Sequence, residues 1–534
     1  MYDSIDLDSL ERSVAEARAM GGDRAALSPI ARSWPSVSTA DGARLRELIE
    51  SIPHGEWADD PWIIAAMGAS YRSLGSGSRS AALPWFHTAQ ALLAADQDAA
   101  VSTSAGINLH HSAALRSMGK LDSARRRADL ARAMLDTDVT LSPSLRVRMQ
   151  AKVALQLGLL AIHRGDYAPA LADLRLAYGL EEHLTRSELV EALAGVSFQR
   201  YTVGEFDTAL HYASLARAAS GTSGYLSSRF GALALITELM VAVEQNRLAD
   251  ALALHPQVTA ASIHTDWEAL GHYAIGTTAV ISGHYIEGLD QLHRAIEAVQ
   301  DWEGPPLVRI MATGMRGVLF MHLGETQEAL AIFEKLEPTT NHANCPARFV
   351  AGIRFAAGDY QGTLDALAEC AALGDDHSNR TLIDVLMLRA AANYELGNTV
   401  IADVAFDRAL HFASQSGMRT PFLLVPGPVM QRMLGRAADR NQPDAVHDIL
   451  DEMRGGHGGP LHGTIEPLSD RERDIVQQLY LDKTINQIAA ELFISSNTVK
   501  THVRSIYRKL EASNRKEAMR RVKELGLHLE ITPF

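Results

Sequence analysis

The residues best suited to chemistry lie near the C-terminal end of the chain. Asn497, Lys500, Thr501, Arg504 and Arg508 are spaced so that a helix sets them side by side on one face. All five can donate hydrogen bonds, and Lys and Arg add charge, a combination that meets phosphates and base edges. Residues 495–523 hold nine Lys or Arg against two Asp or Glu. Other chemistries find little material. The only two cysteines, Cys345 and Cys370, form no C-x-x-C pair and read as small buried apolar residues. The 21 histidines, His110-His111 included, are scattered, so they read as surface or satisfied groups and no metal site is expected. The only Gly-Lys, Gly119-Lys120, is followed by Leu121, so the phosphate cradle of a P-loop is missing. H-E-x-x-H, G-x-S-x-G and an EF-hand loop do not occur. No cofactor and no enzymatic activity are expected.

The basic face needs a helix, and the sequence supplies four with their start signals. Ser469 with Glu472, Thr484 with Gln487 and Asn514 with Glu517 have the spacing of capping boxes, and Ser495 is a further N-cap. The first helix turns Ile475, Val476 and Leu479 inward, and the second Ile485, Ile488, Ala489 and Leu492. The third buries Val499, Val503, Ile506 and Leu510, and the fourth Ala518, Val522 and Leu525, with Gly526 just past its end. Two short helices joined by a few residues form a helix-turn-helix, in which the small Ala489 allows the third helix to cross closely.

Residues 468–525 resemble the LuxR-type (NarL/FixJ-like) DNA-binding domain. L-S-D-R-E-R-D-I-V is similar to its opening, and I-A-A-E-L-F-I-S-S-N-T-V-K-T-H-V-R-S-I-Y-R-K-L to its core. The resemblance implies that the third helix enters the major groove of double-stranded DNA. Lys500, Thr501 and Arg504 then fall at base-reading positions; Ser495, Asn497, Thr498, Arg508 and Lys509 become phosphate or positioning groups. Glu472 and Arg473 match a charged first helix with a structural role. Three positions depart from the family pattern: Asp482 and Glu511 where glycine is usual, and Ile485 where asparagine is usual.

The rest of the chain repeats one device. G-K-L-D-S-A-R at 119–125 is echoed by G-D-Y-A-P-A-L at 165–171, G-E-F-D-T-A-L at 204–210, G-H-Y-I-E-G-L at 283–289, G-E-T-Q-E-A-L at 324–330 and G-D-Y-Q-G-T-L at 358–364. Weaker copies start at Gly77, Asn246 and Gly397, giving a mean spacing of about 40 residues. Each copy separates two amphipathic, Ala- and Leu-rich stretches, so the glycine closes one helix and small residues seat the next against it. Stacked pairs build an α-solenoid with a groove. This resembles a tetratricopeptide-like array; an irregular helical bundle is the alternative. The six tryptophans all lie in the first 302 residues, where interhelix packing is favoured over stacking on a ligand. Aromatic residues are only 6%, against any strand-rich reading.

The expected class is therefore all-α: a helical-repeat sensor over 1–454, a Gly-rich linker at 455–463 and the DNA-binding domain at 464–534. The net charge of −14 splits into −16 before residue 464 and +2 after it, so the basic footprint is confined to the end. The acidic N-terminus has no signal-peptide pattern, and no apolar run approaches a membrane span, so a cytoplasmic protein without a membrane partner is expected. The arrangement resembles the C-terminal part of MalT-like large regulators without their ATPase. That likeness implies a transcriptional regulator, a homodimer on DNA acting on the transcription machinery, with a small-molecule, peptide or protein effector in the solenoid. The alternative is a peptide- or protein-binding scaffold whose DNA binding is secondary.

Overall fold

The computed structural model describes residues 7–524 except 38–40, 74–75, 97–99, 305, 340, 441, 455–467 and 511. The proposed linker 455–463, Glu511, Leu525 and Gly526 lie outside the described residues. Among those described, helices follow one another with no extended strand, and no helix is long and apolar enough to cross a membrane.

The repeat signature is the turn between paired helices. Gly119, Gly165, Gly204, Gly283, Gly324, Gly358 and Gly397 all have φ between 73° and 89°, and Asn246 substitutes at 57°. The reason is a pair of crossed backbone bonds. After the helix Pro143–Arg164, Gly165 N–H donates to Ile162 O at 3.1 Å and Asp166 N–H to Ala161 O at 2.9 Å. These satisfy carbonyls that the helix end would leave unpaired, and the left-handed residue they require costs glycine least. The weak copy at Gly77 instead falls inside a short 3-10 turn, Ser76–Ala81.

Small residues then set the pairing distance. The helix Tyr167–Gly179 buries Ala170, Leu174 and Ala177. A methyl group at Gly158 of the preceding helix would lie 2.6 Å from the Leu174 side chain, so only glycine admits this approach. Burying a leucine such as Leu174 stabilises by about 1.5–3 kcal/mol. Helix Arg186–Val203 is buried on nearly every side, consistent with helices stacking before and behind it.

The chain divides into two compact units. The first comprises Met1–Val241, Ala253–Gly271 and Ala295–Arg309; the second comprises Ala242–Leu252, His272–Arg294 and Ile310–Phe534. Within the first unit, segments distant in sequence return to the repeats. Glu303 Oε2 accepts from the backbone of Asp122 and Ser123 at 3.0 and 3.3 Å, capping the helix Leu121–Thr137. The Trp302 ring covers Gly119 so closely that a Cβ there would sit 2.1 Å from it. In the second unit the three-proline stretch 420–428 breaks as expected, forming the 3-10 turn Thr420–Leu424 before the helices Gly427–Ala438 and Asp444–Arg454.

Candidate nucleic-acid interface

The terminal module has the expected four helices: Asp470–Tyr480, Ile485–Glu491, Ser496–Lys509 and Arg515–Glu524. Ser469 and Glu472 cap the first reciprocally, and Thr484 and Gln487 the second. The Ser495 hydroxyl accepts from Thr498 N–H at 3.0 Å to start the third, and Asn514 Oδ1 accepts from Glu517 N–H at 2.9 Å at the fourth. Ile488, Ala489, Val499, Val503, Ile506 and Leu510 are buried together with Ile475, Val476, Leu479, Ala518 and Val522. Leu492, predicted as core, is only half-buried because it caps the C-terminal end of the second helix.

Asn497, Lys500, Thr501, Arg504 and Arg508 are all exposed on the third helix, opposite Val499, Val503 and Ile506. This helix of 14 residues is about 21 Å long, and B-form DNA offers it a major groove roughly 12 Å wide. The Thr501 hydroxyl donates back to Asn497 O at 3.1 Å, which leaves its oxygen and methyl group for an outside partner. Ser495 and Thr498 serve the helix start, their hydroxyl oxygens 2.7 Å apart.

Lys509 has a different place from its neighbours. Its Nζ lies 2.7 Å from Glu472 Oε2, with the two side chains 11% and 5% exposed. The ammonium is engaged inside the module, so of the two roles expected of Lys509, positioning suits it and phosphate contact does not. Burial works against the Glu472 charge, but Lys509, the Ser505 hydroxyl and Ser469 N–H hold its carboxyl down to about 2. The structural role expected of Glu472 thus has a physical basis: it ties the start of the first helix to the end of the third.

Several supporting residues carried no periodic signal in the sequence. Arg515 donates to Leu479 O at 2.7 Å and Lys483 O at 2.9 Å, closing the end of the first helix from the fourth. Arg471 donates to Leu492 O at 2.5 Å, and Ser496 to Asn486 Oδ1 at 2.9 Å, both fixing the turn before the third helix. Asp482, where the family pattern has glycine, adopts φ 58°, a conformation aspartate tolerates better than most residues. Two carboxylates from earlier in the chain approach the first and fourth helices of the module: Asp290 lies 3.7 Å from Arg520, and Glu325 lies 3.9 Å from Arg473.

A second polar site lies in the first unit. Arg72, Arg116, Lys152 and Arg229 line a cavity of ≈ 100 Å³ together with Glu188 and Glu191. Arg229 is 2.5 Å from Glu191, and Arg116 contacts Asp266. Burial opposes ionisation of Asp266, yet Arg116 and Arg229 hold its carboxyl well below the usual range. Burial, with Arg229 and Arg116 nearby, pushes Arg72 down to about 9. Trp267 stacks on His163 at 4.2 Å and is buried, a packing role. His110 and His111 do not act as a pair. Burial lowers them to about 3 and about 4, and His111 stacks on Phe86.

The two cysteines, expected to be small buried residues, lie closer together than their spacing in the sequence suggests. Both cysteines are buried, but their Sγ atoms are 3.4 Å apart, and His342 and His377 join them. The loop before Ala347 and the turn after Leu373 bring the four together, a proximity that residue spacing does not encode.

Residues 466–522 match the luxR family of bacterial regulatory proteins. Over 66 residues the chain is 41% identical to the transcriptional regulatory protein DesR of Bacillus subtilis, covering 12% of this chain and 33% of DesR. It is 40% identical over 75 residues to the probable transcriptional regulatory protein NarL of Mycobacterium tuberculosis, covering 13% and 35%. It is 29% identical over 92 residues to the HTH-type transcriptional regulator MalT of Vibrio campbellii, covering 17% and 10%. The chain thus spans about a third or less of each relative. A Rap protein solved in complex with competence and sporulation factor is loosely similar in fold, at 14% identity and a TM-score of 0.47 over 67% of this chain and 98% of that one. The C-terminal module carries a luxR-type helix-turn-helix.

Proposed function

We propose that the chain is a sequence-specific, DNA-binding transcriptional regulator of the cytoplasm that catalyses no reaction. Residues 464–534, reached through the linker 455–463, read the major groove, and residues 1–454 sense an effector. The observation that carries this reading is the exposed row of Asn497, Lys500, Thr501, Arg504 and Arg508 on a capped helix with a buried inner face. In this reading Lys500, Thr501 and Arg504 contact bases, Asn497 and Arg508 contact phosphates, and Ser495, Thr498 and Lys509 hold the helix in place. A single module reads few base pairs, so a homodimer on half-sites about one helical turn, roughly 34–36 Å, apart supplies the specificity. The transcription machinery is the downstream partner. An effector in the cavity of the first unit would meet Arg72, Arg116, Lys152 and Arg229, whose charges Glu188, Glu191 and Asp266 largely offset.

Genome-wide recovery of DNA bound by the full chain should return a recurring two-fold motif. Lys500→Ala with Arg504→Ala should abolish selective footprinting on that motif while the far-ultraviolet helical signal stays unchanged. A folded double variant that still footprints specifically would refute the reading. Should the wild-type chain shift no duplex at all while binding peptides, the scaffold alternative replaces it.

A further inference from the structure

The two cysteines of the chain meet inside the second unit. Cys345 follows the loop that leads into the helix Ala347–Ala356, and Cys370 lies on the short helix Ala368–Leu373. Their Sγ atoms are 3.4 Å apart, and His342 Nδ1 is 3.4 Å from Cys370 Sγ. His377, between the 3-10 turn Gly374–Asp376 and the helix Asn379–Glu395, completes the group. One donor atom from each of the four lies within 4.8 Å of all the others, and all four residues are buried. A disulfide requires a sulfur separation of about 2.03–2.05 Å, so these are two thiols.

We propose that His342, Cys345, Cys370 and His377 form a structural zinc site. Zinc with Zn–S of about 2.3 Å and Zn–N of about 2.0–2.1 Å has a tetrahedral S–S edge of roughly 3.8 Å and S–N edges of roughly 3.5 Å, so the 3.4 Å S–S and S–N separations need to open by only about 0.4 and 0.1 Å to admit the ion. The donor set contains no oxygen, which disfavours magnesium and calcium and suits a thiophilic dication. Two thiolates and two neutral imidazoles cancel the charge of the dication, so the filled site is neutral in a buried setting. Four protein ligands leave no open position, the arrangement of a structural and not a catalytic zinc.

The surroundings are those of a prepared ligand set. His377 Nδ1 lies 3.0 Å from Ser378 O, which can only accept, so Nδ1 carries the proton. That fixes the lone pair on Nε2, which is buried and has no hydrogen-bond partner. Imidazoles that bind zinc ordinarily donate their second nitrogen to such a carbonyl. His342 is held at φ 54°, with its N–H donating to Thr339 O at 2.7 Å and its carbonyl accepting from Thr381 at 2.6 Å. The flanking helices Tyr360–Ala366 and Ala368–Leu373 have only 7 and 6 residues. The zinc would clip together a repeat whose second helix is too short to hold itself by packing.

The full chain, purified without chelator from cells grown with zinc, should contain about one zinc per chain by elemental analysis. Exchange with cobalt(II) should give the visible bands of a tetrahedral site and thiolate-to-cobalt charge transfer in the near ultraviolet. Cys370→Ser and His377→Gln should each lose the metal, while His411→Gln, at an exposed position outside the group, keeps it. If the ligand variants do not fold, the wild-type stoichiometry and cobalt spectrum decide alone. Wild-type protein without stoichiometric metal, whether with two thiols that react freely after unfolding or with a Cys345–Cys370 disulfide, overturns the proposal. So does metal that persists unchanged in both folded ligand variants.

Discussion

Replacing Glu472 by Gln tests how the third helix of the terminal module is held. The Glu472 carboxyl is held at about 2, against an ordinary value of 4.5, at a residue only 4% exposed. Each tenfold preference for one protonation state is worth about 1.36 kcal/mol, so the folded module favours the charged form by roughly 3 kcal/mol. Glutamine still offers an oxygen to Ser469 N–H, so part of the capping box survives. It leaves the Lys509 ammonium, 11% exposed, without its counter-charge. Opening of the third helix should become easier by roughly 3 kcal/mol, raising amide exchange on the order of a hundred-fold. Hydrogen-exchange mass spectrometry of the full chain at pH 7 would read this in peptides spanning 496–509, with peptides from the first unit as internal standard. Adding Lys509→Met should restore most of the protection, because a buried apolar pair costs less than a stranded charge. Exchange within about two-fold of wild type in the single variant would refute the coupling.

The same carboxyl sets an acid limit. Its folded pKa lies below the unfolded one, so its stabilisation is complete above about 4.5 and drains away as pH falls through about 2. Protection of the third helix should therefore decline on acidification across that window, and a flat profile would contradict it. Asp266→Asn should destabilise the first unit by about 3 kcal/mol in urea unfolding, since Arg116, 1% exposed, loses its nearest carboxylate and keeps only Glu191 at 3.7 Å. The double variant with Arg116→Met should lose less. Arg508→Ala should weaken binding to all duplexes alike and reduce the salt slope by about 1, leaving sequence preference intact.

The terminal module was legible residue by residue because local rules decide it. Caps are local contacts at fixed spacing, and Ser469, Thr484, Ser495 and Asn514 each begin the helix their neighbours predict. The repeat glycines were legible for the same reason: a left-handed residue is a demand of the turn itself. Pairings across the fold were not legible. Lys509 looks like another member of a basic face, yet one turn of geometry sends it to Glu472, 37 residues away. Arg515 reads as a surface cation at a helix start and in fact closes the end of another helix. Cys345 and Cys370 offer no motif because their ligand partners come from loops, where no period links sequence distance to space.

The return of Trp302 and Glu303 to the turn at Gly119–Ser123 bears on how this body can evolve. Solenoids usually grow or shrink by duplicating or deleting whole repeats, because each repeat touches only its neighbours. Here the fit of an indole on Gly119 and a carboxylate on the next helix start depends on how many helix pairs lie between them. An inserted pair would carry Glu303 away from its helix, and a deleted one would drive Trp302 past its glycine. The tie fixes the length of the array between them, so this part of the body can change by substitution but not by recombining whole repeats.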